Sequence, residues 1–367
     1  MRRERSSYVN LLKGHLFETV ILRLLKKNGF NLISASAYLV RENRQGFIEV
    51  MGRGTYHQID CPCTYDNMIP FLYPIRLLGE VKYYSAPISK SEIRSFIGVV
   101  KDIQENYFPA HFEEVQNSRD VYGYCFSNWR LEPRYSDFGV FFSASGFNKE
   151  AEMLAYAHGI STISYNNNPI MWPIIAILNE LERNYFRASL CAAENNLKDF
   201  VKIFGELLDG DESNIQGFIR RFEVPEGVQN RIGDLRESMF ALRANFIGTT
   251  TGGMLLHFVG ESKFPEHLFE RTDSQKCRVY VEDSARFGKG FYLVINEDNE
   301  RRKFYFTPPR TLEFAANMTA RDLLDAKAEI LLSIQIPMRI NNLARNLTLK
   351  LDTEWIDQLR EMTNNEG

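Results

Sequence analysis

The amino-acid sequence predicts a mixed α/β protein: a sheet flanked by helices, then a helical connector, then a second α+β domain. Three features predict it. Pro74 to Tyr84 is a nearly continuous apolar run, suited to a strand buried on both faces. Helical stripes precede and follow that run, the order expected of strands layered between helices. Asn166-Asn167-Asn168-Pro169 breaks the pattern, and helix dominates after it. With 367 residues and about 100 to 200 residues per domain, we expect boundaries near 1–168, 169–228 and 229–367.

From Tyr8 to Asn28, Leu11, Leu12, Leu16, Val20, Leu24 and Leu25 fall at the three-to-four spacing of an amphipathic helix, and Gly29 follows as a stop. Asn31 to Val40, Gly46 to Met51 and Tyr56 to Cys61 are short segments rich in β-branched and aromatic residues, and are read as strands. Ser89 with Glu92 forms a capping box ahead of the stripe Ile93, Phe96, Ile97, Val100 and Ile103. Strands follow at Val121 to Phe126 and Phe138 to Ser143, then a helix from Asn148 to His158 ended by Gly159, then a strand from Ile160 to Tyr165. Ile174 to about Leu208 reads as helix. Beyond it, helices at Gln229 to Ala244, Ala320 to Leu332 and Thr353 to Met362 alternate with strands. Gly290 to Ile295 and Lys303 to Thr307 form a hairpin around Glu297-Asp298-Asn299-Glu300.

Hydrophobic residues make up 44% and charged residues 25%, which is the composition of a folded globular chain rather than a disordered one. The N-terminal MRRERSSYVNLLKG has no signal-peptide apolar core, and no apolar run approaches the roughly 20 residues of a membrane span. Five widely spread cysteines argue against a disulfide framework, so a cytoplasmic location is expected. A net charge of -3 leaves nucleic-acid binding to a locally basic face.

The chemistry concentrates at the tip of the apolar strand. Glu80 and Lys82 are two residues apart, so their side chains leave the same face of a strand and can converge on one phosphate. Asp60, at the end of another strand-like run, supplies a second carboxylate. Two carboxylates suit Mg²⁺, and a nearby ammonium can steer an attacking water while balancing charge. A Glu-x-Lys pair taken alone is a common surface pair. Its place at the end of a buried strand, where unpartnered charge is costly, gives it weight.

The segments GHLFETVILRLLKKNGF, RGTYHQIDCP, LLGEVKYY and SEIRSFIGVVKDI together resemble the Mrr-like branch of the PD-(D/E)XK restriction endonucleases, and FFSASGFNKEAEMLAYAHGI extends the resemblance to about Tyr165. The resemblance implies a restriction-endonuclease-like fold. It implies Asp60 and Glu80 as metal-binding carboxylates, Lys82 as the lysine of the motif, Glu18 as the auxiliary acid of the first helix, and the Val81 carbonyl as a further metal ligand. The chain departs from the usual pattern before Asp60, where Arg53-Gly54-Thr55-Tyr56-His57-Gln58-Ile59 replaces a glycine-rich run. An Mg²⁺-dependent endonuclease acting on DNA is therefore expected, with Mn²⁺ as substitute, in restriction or anti-phage defence, as a homodimer or higher homo-oligomer and alongside a partner protein of a defence system. The competing expectation is a protein that binds nucleic acid or a partner on the same scaffold without cutting.

Lys13, Arg53, Lys90, Arg94 and Lys101 are candidate phosphate contacts, each with solvated surface as the plainer reading. Ser145 opens a helix whose backbone N–H groups can meet a phosphate. His57 stands near the site, where a structural hydrogen bond is the plainer role. Cys61, Cys63 and His57 lack the second cysteine pair of a zinc site. Gly248 to Gly253 lacks the Gly-Lys-Ser/Thr ending of a P-loop and reads as a tight turn.

Overall fold

The structure is a computed structural model that describes residues 2–33, 39–43, 47–65, 73–106, 135–181, 197–211, 213, 215–285, 288–341 and 343–365. The expected strand at Val121 to Phe126 lies outside these residues. Among the described residues the fold is mixed α/β with three sheets, one of them a closed seven-stranded barrel.

Helix α1 spans Arg2–Lys27, and the chain then builds β1 (Phe30–Leu32), β2 (Val40–Glu42), β3 (Ile48–Met51), β4 (Tyr56–Gln58), β5 (Cys61–Tyr65) and β6 (Ile75–Lys82). Helix α2 (Lys90–Gln104), β7 (Ser136–Ser143), α3 (Lys149–Ala157) and β8 (Ser161–Ser164) complete the first lobe. The central sheet has the order β1-β5-β6-β7-β8, while β2-β3-β4 forms a small separate sheet. Strand β6 sits in the middle, antiparallel to β5 and parallel to β7. That position explains its uninterrupted apolar run, since both faces are covered.

The stretch from Tyr56 to Cys61, read from sequence as one strand, is two. Tyr56–Gln58 pairs with β3, and the chain then crosses at Ile59 and Asp60 to start β5 in the other sheet. Asp60 therefore opens a strand rather than ending one. The physical reason is a long-range contact: its carboxylate takes the Val81 N–H at 2.9 Å. Likewise, Asn31 to Val40 is not one strand, because β1 pairs with β5 and β2 with β3.

Residues of the central sheet alternate between two cores. Val81 and Tyr83 enter the one built on Leu12, Leu16, Phe17 and Val20 of α1. Leu78 and Phe141 enter the other, with Ile93, Phe96 and Val100 of α2 and Ala151 of α3. Ser89 N–H donates to Glu92 Oε2 at 2.8 Å, the capping contact expected at the start of α2.

Helices α4 (Trp172–Leu181), α5 (Leu197–Leu208), α6 (Ile215–Arg221) and α7 (Glu226–Ala241) follow. The segment read as a connector carries Ile174, Phe200 and Phe218 into the same core as α1. Burying each such side chain contributes roughly 1.5–3 kcal/mol, so these helices are part of the first lobe's packing.

The barrel runs β10-β13-β12-β11-β15-β14-β9. Its strands are β9 (Ala244–Thr250), β10 (Leu255–Gly260), β11 (Ser274–Ser284), β12 (Gly288–Ile295), β13 (Phe304–Phe306), β14 (Ser333–Ile340) and β15 (Leu343–Leu351). Neighbours are antiparallel except β11 and β15. Phe258, Phe291, Phe304 and Leu349 fill the interior. Helices α8 (Arg310–Ala315), α9 (Ala320–Ile330) and α10 (Thr353–Asn365) accompany it. The expected hairpin is β12 and β13, with Phe291 opposite Phe306. Residues 251–253 turn between β9 and β10, with Gly253 at φ +79°. No helix among the described residues is long and apolar enough to cross a membrane.

Candidate active site

Register delivers the carboxylates to one place. The pair Cys61 and Gly79 joins β5 to β6, so Asp60 and Glu80 come next on adjacent strands. Gly79 is needed for this approach: a Cβ there would lie 2.8 Å from the Cys61 Cβ. Because Val81 and Tyr83 face the α1 core, Glu80 and Lys82 leave the opposite face together. The Lys82 ammonium contacts Glu80 Oε1 and lies 3.4 Å from Asp60 Oδ2. One cation is thus shared between two carboxylates at the mouth of a buried strand.

Glu18 reaches this neighbourhood from α1. Burial raises its proton affinity above the ordinary carboxylate value, opposed by the hydrogen bond from His15; Asp60 raises it further and Lys82 lowers it. Glu80 is pushed up to about 7, first by burial and then by Asp60, with Lys82 opposing. Lys82 responds in the complementary sense: burial works against its charge, but Asp60 and Glu80 outweigh it and raise its pKa. Three carboxyl groups are thus crowded around one ammonium, which contacts two of them, and Glu18 and Glu80 hold their protons more tightly than ordinary carboxyls do.

His15 is the residue that sequence reading missed. Its Nδ1 lies 2.8 Å from Glu18 Oε2, and its ring stacks on Phe47 with centroids 5.0 Å apart. The signal was present in the spacing, because residues three apart on a helix are neighbours. Only Phe47, brought in from the small sheet, makes the ring's orientation definite.

The remaining candidates are placed as follows. Lys13, expected at a phosphate, is buried, with its ammonium 4.6 Å from the Tyr83 ring centre. Arg53 is exposed and 3.7 Å from Glu105, and His57 Nε2 lies 2.7 Å from Asp102 Oδ2. His57 thus ties the small sheet to α2, the structural role. Lys90 is 3.8 Å from Glu150, Arg94 is exposed on α2, and Lys101 donates to Gln104. Ser145 donates its hydroxyl to the Ala86 carbonyl at 2.7 Å. These contacts run elsewhere than the Asp60, Glu80 and Lys82 cluster. The Val81 amide N–H donates to Asp60 Oδ2. Cys61 and Cys63 are buried free thiols in the α1 core, and burial pushes Cys63 up to about 12.

Among the described residues, no group of three or more His, Cys, Asp and Glu side chains is arranged to hold a metal ion by itself. Two carboxylates completed by water and substrate oxygens are the usual protein share of an Mg²⁺ shell, and Asp60 and Glu80 match that donor chemistry.

No family model matches the chain, and no curated protein matches it. Among solved structures, the crystal structure of a protein of unknown function, AF1548, is similar over 62% of this chain and 98% of its own. The identity is 15% and the TM-score 0.34. Such a score carries no weight for fold or function.

Proposed function

We propose that this protein is a metal-dependent nuclease that hydrolyses phosphodiester bonds of DNA at the Asp60, Glu80 and Lys82 cluster. The observation that carries the reading is one ammonium shared by two carboxylates from adjacent strands at the end of a buried central strand. A structural ion pair has no need of a surplus carboxylate, whereas a site for a divalent ion and a phosphate does. The resemblance of these segments to Mrr-like PD-(D/E)XK endonucleases points the same way.

In this reading Asp60 and Glu80 would hold Mg²⁺, which would supply Lewis-acid stabilisation of charge developing on the phosphate. Lys82 orients the attacking water and balances the two carboxylates. Glu18, whose proton affinity burial raises and the His15 hydrogen bond lowers, accepts a proton from that water. Water oxygen bonds to phosphorus as the bond to the departing sugar oxygen breaks, and that oxygen leaves with a proton taken from solvent while Glu18 returns its own to solvent.

The test uses purified full-length protein with supercoiled, linear, methylated and single-stranded DNA, with Mg²⁺, Mn²⁺ or chelator. Asp60→Ala, Glu80→Ala and Lys82→Ala should each lower cleavage by roughly 10²–10³-fold or more, the cost of removing a preorganised charged group. Calorimetric titration of Mg²⁺ should give binding to wild type and none to Asp60→Ala. Wild-type protein that cuts no DNA under any of these conditions would sink the proposal.

A further inference from the structure

The parallel strands β6, β7 and β8 end in a row. Lys82 pairs with Ser143, and Ser143 pairs with Ser164. With neighbouring strands about 4.8 Å apart, Ser164 stands roughly 10 Å along the sheet edge from Lys82. Ligands of parallel sheets bind outside the carboxyl ends of the strands, so this edge extends the candidate site. At its far end lies a cavity of about 130 Å³ between the lobes.

The lining describes what fits. From the first lobe come Ser164, Asn166 and Asn167; from the barrel side come Thr307 and Glu313; buried Phe147 and Phe306 supply apolar surface. The Thr307 hydroxyl donates to the Asn166 carbonyl at 3.5 Å, so the barrel closes over the edge. Gly146, at φ +85°, turns the chain beneath Ser164; a Cβ there would lie 3.3 Å from its hydroxyl. Whole small-molecule ligands occupy about 300 Å³ or more, whereas a cavity of roughly 150 Å³ holds one benzene ring. The cavity therefore suits a single six-membered ring.

Its charge argues for a neutral ring. Glu152 and Glu313 both line it, and the lining Lys289 is engaged with the Ala316 backbone carbonyl. Two carboxylates repel a phosphate. A planar ring edged with donors and acceptors matches the amides and hydroxyls instead. We infer that this inter-lobe cavity takes one unpaired nucleobase, a pyrimidine by size, from a strand whose backbone passes the Asp60 and Glu80 cluster. The inference rests on the nuclease reading for the identity of the ligand. The distance suits it: about three nucleotides at a stacked rise of about 3.4 Å, and fewer when the strand is extended.

Fluorescence anisotropy in chelator, with full-length protein and labelled single strands of equal length, tests this. Oligo(dT) should bind wild type about tenfold or more tighter than an abasic strand, the lower range of base-stacking contributions. Oligo(dA) should fall between them. Thr307→Trp fills the cavity from the barrel and Ser164→Leu from the sheet; a folded variant of either kind should erase the preference and leave abasic binding unchanged. Equal binding of oligo(dT) and abasic strands by wild type overturns the inference. So does a preference that survives in either folded, filled variant. Cleavage is scored separately: base preference without cleavage would end the hydrolase reading and keep the pocket, while cleavage without base preference would do the reverse.

Discussion

Two of the buried polar clusters among the described residues are built on opposite principles. One joins the lobes: Tyr165 at the end of β8, His257 on β10, Asn245 on β9 and Asn28 after α1. Asn28 and Asn245 both give amide N–H groups to the Leu24 carbonyl, and Asn245 Oδ1 accepts from Asn28 at 2.9 Å. That oxygen also faces His257 Nε2 at 2.6 Å, so Nε2 carries the proton. His257 Nδ1 is then left to accept from the Tyr165 hydroxyl at 2.8 Å. Every member is neutral and partnered. The other cluster, Glu18, Asp60, Glu80 and Lys82, is charged and unbalanced. A satisfied network stabilises a single arrangement, whereas crowded like charge costs stability and is retained where a ligand relieves it. The contrast supports reading the first cluster as structure and the second as a site.

Neutralising Glu80 should separate the two clusters most strongly. Glu80→Gln should lower Mg²⁺-dependent cleavage by roughly 10²–10³-fold. It should also stabilise the metal-free protein in mildly alkaline solution. The sign follows from its folded-state pKa of about 7 against an ordinary 4.5. Between those values the folded protein holds the extra proton, so stability falls as pH rises through the window, and glutamine removes that loss. Thermal unfolding in chelator at about pH 8 should show a higher midpoint for the variant by a few degrees, the response to about 1 kcal/mol in a chain of this size. A variant that is inactive and also less stable would place Glu80 among the structural pairs.

How these clusters appear in the sequence differs as much as their chemistry. Glu80 and Lys82 were legible because a strand buried on both faces writes a continuous apolar run, against which terminal charges stand out. Asp60 was legible as an acid but not in its place, since the crossing from the small sheet to the central one depends on Val81 and Gly79, residues twenty positions away. The lobe-joining network left no trace: Tyr165 and His257 are 92 residues apart, and a lone histidine on a strand carries no local signal. The closed barrel was hidden for a similar reason. Its closure depends on β11 lying parallel to β15, with Ser274 opposite Thr348. Non-local register of that kind has no periodicity to read.

A second test addresses the neutral network. Burial lowers His257 from an ordinary 6.5 to about 4. The unfolded chain therefore binds a proton that the folded protein does not, and stability is lost as pH falls from about 6.5 toward 4. At about 1.4 kcal/mol for each tenfold change in proton affinity, the loss is bounded near 3 kcal/mol. Glu80 contributes the opposite slope over much of this window, so the signature is the difference between two urea-unfolding series: as pH falls, His257→Gln should lose less stability than wild type. An unchanged slope in the variant would remove His257 from the account of acid sensitivity.

The smallest expected effect lies where the two principles meet, at His15. Its ring is held by stacking on Phe47, as in a structural network, yet its Nδ1 serves Glu18 in the charged cluster. Partners that orient a ligand or base from behind typically contribute 10- to 100-fold to activity or metal affinity. We expect His15→Ala to lower cleavage by about tenfold. His15→Asn, whose amide nitrogen falls near the position of Nδ1, should recover most of that loss, and His15→Gln, which places its amide nearer Nε2, should not. Stability by urea unfolding should fall similarly in all three variants, since each loses the stacked ring. Activity that follows stability across the series, rather than the position of the donor, would make His15 a packing residue. The boundary between the two clusters would then run between His15 and Glu18.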